Sequence, residues 1–227
     1  MKPITHPFRK LLLIACSLFW LSAAQAQTYG ENFFIIHDAV GKPDSTAVIY
    51  IEIVNEDYLF AFQVDLPLPD GFSYVSGSAW LNPARKVDHF IQGNMLPGTN
   101  ILRLLSFAYT GEHYPGNDGI IAKFDLNLPT QTGEYLLMPD TVILGGLYGV
   151  ILSSTFNGTV YITPEGPVPG DANCDGLVNV NDVITTIQYI LLNIPKPFCF
   201  ANADLNDELE VDVTDVVGII QIILQIE

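Results

Sequence analysis

Basic residues are scarce in this chain: nine Lys and Arg stand against 25 Asp and Glu, for a formal charge of -16. That balance makes nucleic acid and anionic membranes poor partners, because both call for a cationic surface. Signatures of catalysis are also missing, since no G-x-S-x-G elbow, no P-loop and no H-E-x-x-H occurs. The histidines His37, His89 and His113 are scattered and lack the close pairing of a metal site. Past the N-terminal leader no uninterrupted apolar run approaches the roughly 18 residues that span a bilayer. The most apolar stretch, at the C-terminus, is interrupted by Gln221 and Gln225. Disorder is excluded in turn, because 49% of the residues are hydrophobic and only 15% charged.

What is present begins with an export leader. Lys2, Arg9 and Lys10 precede an apolar run over Leu11–Leu21, and Ala24-Gln25-Ala26 forms a small-residue cleavage site. The signal peptide is therefore read as residues 1–26, with the mature chain secreted. The string Leu13-Ile14-Ala15-Cys16 offers a lipoprotein box as the alternative, though it would leave only Leu11–Ala15 as apolar core. Cleavage leaves six basic residues against all 25 acids, a formal charge of -19. Two cysteines survive it, Cys174 and Cys199, and export permits a disulfide between them. Folding residues 193–199 back along a preceding helix sets about 16 Å of helix against roughly 20 Å of extended chain. A bridge is thus feasible and worth roughly 3 kcal/mol, with two free thiols as the alternative.

Residues 27–163 carry short alternating segments separated by turns, the pattern of an all-β jelly-roll sandwich. Ala47, Ile49, Ile51 and Ile53 share one face by the two-residue period, and Phe60, Phe62, Val64 and Leu66 do so in the next segment. Pro67, Pro69, Asp70 and Gly71 then turn the chain. Further strands are expected over Glu31–Val40, Phe72–Val75, Ile101–Ala108, Ile120–Leu128, Glu134–Leu137, Thr141–Leu144, Tyr148–Leu152 and Thr159–Thr163. Trp80, Tyr109, Tyr114, Tyr135 and Tyr148 would suit a sugar-stacking platform if they were coplanar and exposed; core and turn packing is the commoner use of such rings. Asp65, Asp70, Asp118 and Asp125 are the acids from which a glycosidase pair would be drawn, with no motif to support it.

Residues 164–169 belong to a proline-rich connector, T-P-E-G-P-V-P-G over Thr163–Gly170, which three prolines make extended and semi-rigid. Its shortness opposes an intramolecular embrace of the two halves it joins. Beyond it, residues 170–227 open on G-D-A-N-C-D-G-L-V-N-V-N-D-V. Taking Asp171 as position 1, Asn173, Asp175, Leu177, Asn179 and Asp182 fall at 3, 5, 7, 9 and 12, the ligand order of an EF-hand-like calcium loop. Calcium takes six to eight hard oxygens, here carboxylates, amide carbonyls and the Leu177 main-chain carbonyl, while Gly176 at position 6 supplies the sharp turn.

The unit repeats 33 residues later, as D-V-I-T-T-I-Q-Y-I-L from Asp182 and D-V-V-G-I-I-Q-I-I-L from Asp215 show. Asp204, Asn206, Glu208, Glu210, Asp212 and Asp215 take positions 1, 3, 5, 7, 9 and 12, and Leu209 replaces the glycine. A left-handed backbone at Leu209 would cost about 1–2 kcal/mol, whereas the carboxylate of Asp212 adds charge. The expectation is a filled first loop and a weaker second one. Each loop leads into an amphipathic helix, with Val183, Ile184, Ile187, Ile190 and Leu191 striped on one and Val216, Val217, Ile220, Ile223 and Leu224 on the other. The two stripes are expected to bury each other.

These residues carry two resemblances. Paired loops of this form, each before an apolar helix, with Phe200-Ala201-Asn202-Ala203-Asp204 opening the second, resemble type I dockerin modules. That resemblance implies a small all-α, calcium-folded plug for a cohesin, with partner contacts at loop positions 10 and 11. Those positions are Val180, Asn181, Val213 and Thr214, of which only Thr214 keeps the family's usual residue type. The sandwich region, through Leu59–Leu66, Asp70-Gly71 and Asn117-Asp118-Gly119-Ile120-Ile121-Ala122-Lys123-Phe124-Asp125-Leu126, is similar to cohesins and their carbohydrate-binding relatives. Cohesins bind dockerins through one sheet face. The resemblances together imply a secreted, non-catalytic assembly protein of a polysaccharide-degrading or cell-surface complex. They leave head-to-tail self-association and polysaccharide binding as further partner expectations.

Overall fold

Residues 31–225 are described by a computed structural model. The leader expected over residues 1–26 lies outside the described residues, as do the last two positions. Strands dominate the first part: β1 Phe33–Ile36, β2 Ala39–Gly41, β3 Thr46–Val54, β4 Leu59–Pro67, β5 Ser73–Tyr74, β6 Trp80–Leu81, β7 His89–Met95 and β8 Ile101–Ala108. They continue as β9 Ile120–Asn127, β10 Gly133–Leu137, β11 Thr141–Gly146, β12 Gly149–Ile151, β13 Ser154–Phe156 and β14 Gly158–Ile162. The helices are few and short: α1 Val180–Ile190, α2 Phe200–Ala203 and α3 Val213–Leu224. No helix among the described residues is long and apolar enough to cross a membrane.

Two sheets make the sandwich. The first runs β13-β1-β3-β9-β5, with β6 also on β9; the second runs β12-β11-β4-β8-β7; a third, small sheet is β10-β14-β2. Neighbours are antiparallel except β1 with β13 and β2 with β14. The two-residue period explains the core. Ala47, Ile49, Ile51 and Ile53 of β3 face Phe62, Val64 and Leu66 of β4, and Leu102, Leu104, Phe124 and Leu126 close the same cluster. Branched and aromatic side chains at alternate positions thus bury one face of each sheet, which supplies most of the apolar burial of the molecule.

Several expected boundaries change. The segment expected as one strand over Glu31–Val40 divides at His37–Asp38, where the chain leaves the first sheet for the small one. In β4 the core residue is Leu59 and not Phe60, because a register shift between Gly145 and Gly146 pairs Ala61 with the former and Leu59 with the latter. β7 has no counterpart among the expected strands. It is an edge strand, bonded on one side to β8, and its sequence H-F-I-Q-G-N-M lacks clean alternation.

The helices depart from expectation in how they pack. α1 and α3 lie against each other and Thr186, Val216 and Ile219 are buried, but Ile184, Ile187, Leu191, Val217, Ile220 and Leu224 are exposed. The stripes therefore do not bury each other. The reason is a second apolar cluster, in which Tyr189 and Ile190 of α1 join Ala172, Phe198, Phe200, Ala203 and Val211 against Tyr50 and Ile120 on the outer face of the first sheet. This segment takes its burial from the sandwich, so only a narrow seam is left for the helix pair.

Candidate metal loops and their seat on the sandwich

Each loop is held in shape by its own oxygens, and the two do so alike. In the first, Asp171 accepts from the backbone N–H groups of Asp175 and Gly176, both at 3.0 Å, and Asp182 accepts from Asn173 at 3.1 Å and Asn179 at 2.8 Å. In the second, Asp204 accepts from Glu208 at 3.2 Å and Leu209 at 2.9 Å, and Asp215 accepts from Leu205 at 2.8 Å and Asp212 at 2.9 Å. Asn179 and Asp212 cap α1 and α3, and Asp182 and Asp215 complete capping boxes. The residues at positions 9 and 12 thus serve the helix termini as well as the loop interior.

The first carboxylate of each loop is placed against electrostatic preference. Burial pushes the Asp171 carboxyl above its ordinary value, and the nearby charges of Asp182 and Asp175 add to this, while hydrogen bonds from Gly176 and Asp175 oppose it. Asp204 is raised too, first by burial and then by Asp215 and Asp207, against hydrogen bonds from Leu209 and Glu208. Glu208, Asp212 and Asp215 bring carboxylate oxygens within 4.8 Å of one another. The matching first-loop residues are Asp175, Asn179 and Asp182, where an amide replaces one carboxylate. A hard oxygen donor set with surplus negative charge and a single Lys in the whole segment, Lys196, fits a divalent cation of the calcium type. Asn173, Leu177, Asn206 and Glu210 occupy the loop positions expected of ligands, and Leu177, Asn206, Glu208 and Glu210 are exposed.

The backbone shows where the loops differ. Gly176 has φ +85°, and Leu209, at the same position, has φ +66°. Leu209 therefore holds a left-handed conformation that L side chains disfavour, at about 1–2 kcal/mol. Cys174 and Asp207, both at position 4, also have positive φ. Cys174 is bonded to Cys199 with Cα atoms 5.8 Å apart, which ties the first loop to the start of α2.

The seat on the sandwich centres on Asp38 and Glu52. Asp38 is buried and accepts from Thr159 N at 2.7 Å, Phe198 N at 2.7 Å and Lys196 Nζ at 3.2 Å. Glu52 belongs to the outer face of β3 but is buried, because the C-terminal segment covers it. Its Oε2 is 2.8 Å from His37 Nε2 and accepts from the Tyr189 hydroxyl at 2.8 Å. Burial alone pushes Glu52 up, but the hydrogen bonds of His37 and Tyr189 and the charges of His37 and Arg85 outweigh it and hold the carboxyl below its usual range. His37 also meets the rings of Tyr189, Phe198 and Phe200. A cavity of about 390 Å³ runs beside this seat between Glu52, Arg85 and Asp118 of the sandwich and Glu208, Glu210 and Asp212 of the second loop. The short connector, expected to keep the halves apart, instead delivers the C-terminal segment onto the outer face of the first sheet; Ile190 of the α1 stripe joins that contact, while Ile184, Ile187, Leu191, Val217, Ile220 and Leu224 stay exposed.

The remaining expected positions are dispersed. Val180, Asn181, Val213 and Thr214 are all exposed at the first turns of α1 and α3. Trp80, Tyr114 and Tyr135 do not join a platform. Lys123 Nζ lies 5.0 Å above the Trp80 ring, Tyr114 is buried against His89 with its hydroxyl bonded to Ser106, and Tyr135 packs on Phe72. Tyr109 and Tyr148 are exposed, the latter 94%. Asp65 is held below the ordinary carboxylate range by the Arg103 guanidinium, at 2.7 and 2.5 Å, the reverse of what a proton-donating acid needs. The junction residues Asp38, Glu52, Tyr50, Tyr189 and Phe198 were not singled out by sequence; their partners across the junction lie more than a hundred positions away, and no local pattern marks them.

No protein-family model matches the sequence, and no curated protein matches it. Solved structures do. A non-cellulosomal cohesin from the archaeon Archaeoglobus fulgidus matches with a TM-score of 0.50 and 14% identity, over 60% of this chain and 94% of that one. A type I cohesin from Pseudobacteroides cellulosolvens matches at 0.50 and 18%, over 59% and 92%. A chain of a type I cohesin–dockerin complex from Clostridium thermocellum matches at 0.50 and 15%, over 61% and 97%. At such identities the likeness is one of fold, and the structure is a mostly β chain with a cohesin-like sandwich.

Proposed function

We propose that the chain is a secreted, non-catalytic assembly protein with two docking surfaces, working in a polysaccharide-degrading or cell-surface complex. In this reading the C-terminal loop pair is a calcium-dependent dockerin that docks onto a cohesin-type partner domain. One observation carries it. Val180, Ile184, Ile187 and Leu191 are exposed on α1 and its C-cap, and Val213, Val217, Ile220 and Leu224 repeat the same spacing on α3. The only acids of these helices, Asp182 and Asp215, are buried, so the exposed helix surfaces carry no charge in a chain of formal charge -16. A duplicated, uncharged apolar face on a strongly acidic protein suits a protein partner better than water. Calcium would bind Asp171, Asn173, Asp175, Leu177, Asn179 and Asp182, and their second-loop equivalents Asp204, Asn206, Glu208, Glu210, Asp212 and Asp215. It would fix the helix starts at Val180–Asn181 and Val213–Thr214.

The second surface is the outer face of the sheet β12-β11-β4-β8-β7, where Leu105, Ile143 and Val150 are exposed. The cohesin-like shape of the sandwich supports using it to receive a dockerin, including that of a second copy in a head-to-tail chain. The test is capture of the whole chain on an immobilised type I cohesin domain in calcium and in chelator, with Ile184→Glu and Ile220→Glu as variants. Capture that depends on calcium and is lost in the double variant is expected. Capture indifferent to both overturns the reading.

A second reading makes the sandwich a polysaccharide binder. The observation that favours it is a groove of about 240 Å³ between Tyr58 and Tyr148, with Asp57 beside it, at the same end of the sheet as Tyr109 stacked 4.7 Å from Phe90. Retention on insoluble polysaccharide, lost in Tyr148→Ala, supports it; passage of the intact chain without retention removes it.

A further inference from the structure

Segment 196–203 is a hub with two sides. On one side it is joined to the sandwich: Asp38 Oδ2 accepts from Phe198 N at 2.7 Å, Asp38 Oδ1 accepts from Lys196 Nζ, and Asp38 and Cys199 form an isolated parallel bridge. On the other side it is joined to the first loop. Cys199 N donates to Ala172 O at 2.9 Å, Asn202 Nδ2 donates to Asp171 O at 3.0 Å, Gly170 N donates to Asn202 O at 2.7 Å, and Cys174 is bonded to Cys199. The segment then ends, through α2, at Asp204, the first residue of the second loop. Phe198, Phe200 and Ala203 are buried in one cluster with Ala172, Val211, Tyr50 and Ile120, so parts of both loops share a single apolar seat with the sandwich.

We infer that Asp38 is a positioning residue for both metal loops, acting through segment 196–203, and that loop occupancy and seating of this segment on the sandwich form one coupled equilibrium. This rests on the proposed calcium binding of the loops. Asp38 acts on them indirectly: it sets the position of the strand-like stretch to which Asp171 is tied and from which Asp204 emerges. A cation that draws the loop oxygens together tightens that stretch, and a firm stretch in turn presents oxygens already placed, so each event lowers the ordering cost of the other. The loops of the C-terminal segment would then borrow rigidity from the sandwich and return it as stability.

The experiment is calcium titration of the whole chain by calorimetry, with thermal melts and amide hydrogen exchange in calcium and in chelator, for the parent and Asp38→Asn. Expected are a calcium affinity weaker by about five-fold or more in Asp38→Asn, a calcium-induced rise in melting temperature that is smaller than in the parent, and calcium-induced protection of Ile36–Ala39 and Thr159–Tyr161 in the parent alone. A purely structural role for Asp38 lowers the melting temperature equally in calcium and chelator and leaves the affinity unchanged, and that result overturns the inference. Should Asp38→Asn show no cooperative melt, Tyr189→Phe loosens the same seat from α1 and is read by the same criteria. Calcium binding without protection of the sandwich overturns the coupling alone, whereas no calcium binding by the parent overturns the metal half of the proposed function with it.

Discussion

The Tyr189 hydroxyl donates to Glu52 Oε2 at 2.8 Å across 137 positions of sequence. It joins the C-terminal turn of α1 to a buried acid on a sheet whose partner His37 stands on the other side. A buried carboxylate with two partners is stabilised; with one removed, it retains much of its desolvation cost. Glu52 is where the C-terminal segment and the sandwich share a polar group as well as an apolar surface.

Tyr189→Phe is therefore predicted to cost about 1–3 kcal/mol of stability, read from chemical denaturation of the whole chain. A change within error of zero would mean that Glu52 finds a replacement donor.

The acid limb of stability should carry the same signature. Because the folded carboxyl of Glu52 lies below its unfolded value, its contribution is fully present above the unfolded value and is lost as pH falls through the folded one. Glu52→Gln should be less stable at neutral pH and show a flatter decline between the two values. Parallel pH profiles for parent and variant would contradict this.

Leu209→Gly is predicted to stabilise the second loop, since glycine adopts φ near +66° without the clash that Leu incurs. The expected gain is about 1 kcal/mol, seen as tighter calcium binding at the weaker of two sites. Loss of affinity would show that Leu209, which also lines the cavity beside Glu52, contributes packing that outweighs its strain.

Asp182→Ala and Asp215→Ala remove equivalent bonds, two backbone N–H partners each, one of them the bond that completes the capping box. In chelator the two should cost similar stability, about 1–3 kcal/mol. In calcium, Asp182→Ala should cost more and abolish partner capture, while Asp215→Ala reduces it only in part. Equal losses in calcium would remove the expected inequality of the loops.

Reduction of the Cys174–Cys199 bond, or Cys199→Ser, should act on the first loop ahead of the second. The bridge spans 25 residues, so its loss should cost roughly 3 kcal/mol of stability and weaken calcium binding at the loop it ties. Denaturation with and without reductant, alongside calcium titration, measures both.

Much of this protein was legible because its determinants are local. The period of Ile49, Ile51 and Ile53 declares a half-buried strand, and the string of Asp171, Asn173, Asp175, Gly176 and Asp182 declares a turn before a helix, with Gly176 at φ +85°. The 33-residue offset was equally visible, and the left-handed backbone at Leu209 agrees with its alignment to Gly176. Edge strand β7 left no such mark, because a strand paired on one side needs no strict alternation.

What the sequence determined by itself, then, was the strand character of the first part, the repeated loop-helix pattern of the second, and the excess of acid. Only the tertiary structure decided that the two parts share a seat, that Glu52 is buried on an outward face, and that Ile184, Ile187, Leu191, Val217, Ile220 and Leu224 of the helix stripes stay exposed. The physical reason is distance along the chain. Asp38 meets Phe198 across 160 positions and Glu52 meets Tyr189 across 137, and such contacts leave no period or spacing in the sequence, because they depend on which sheet face the connector happens to reach.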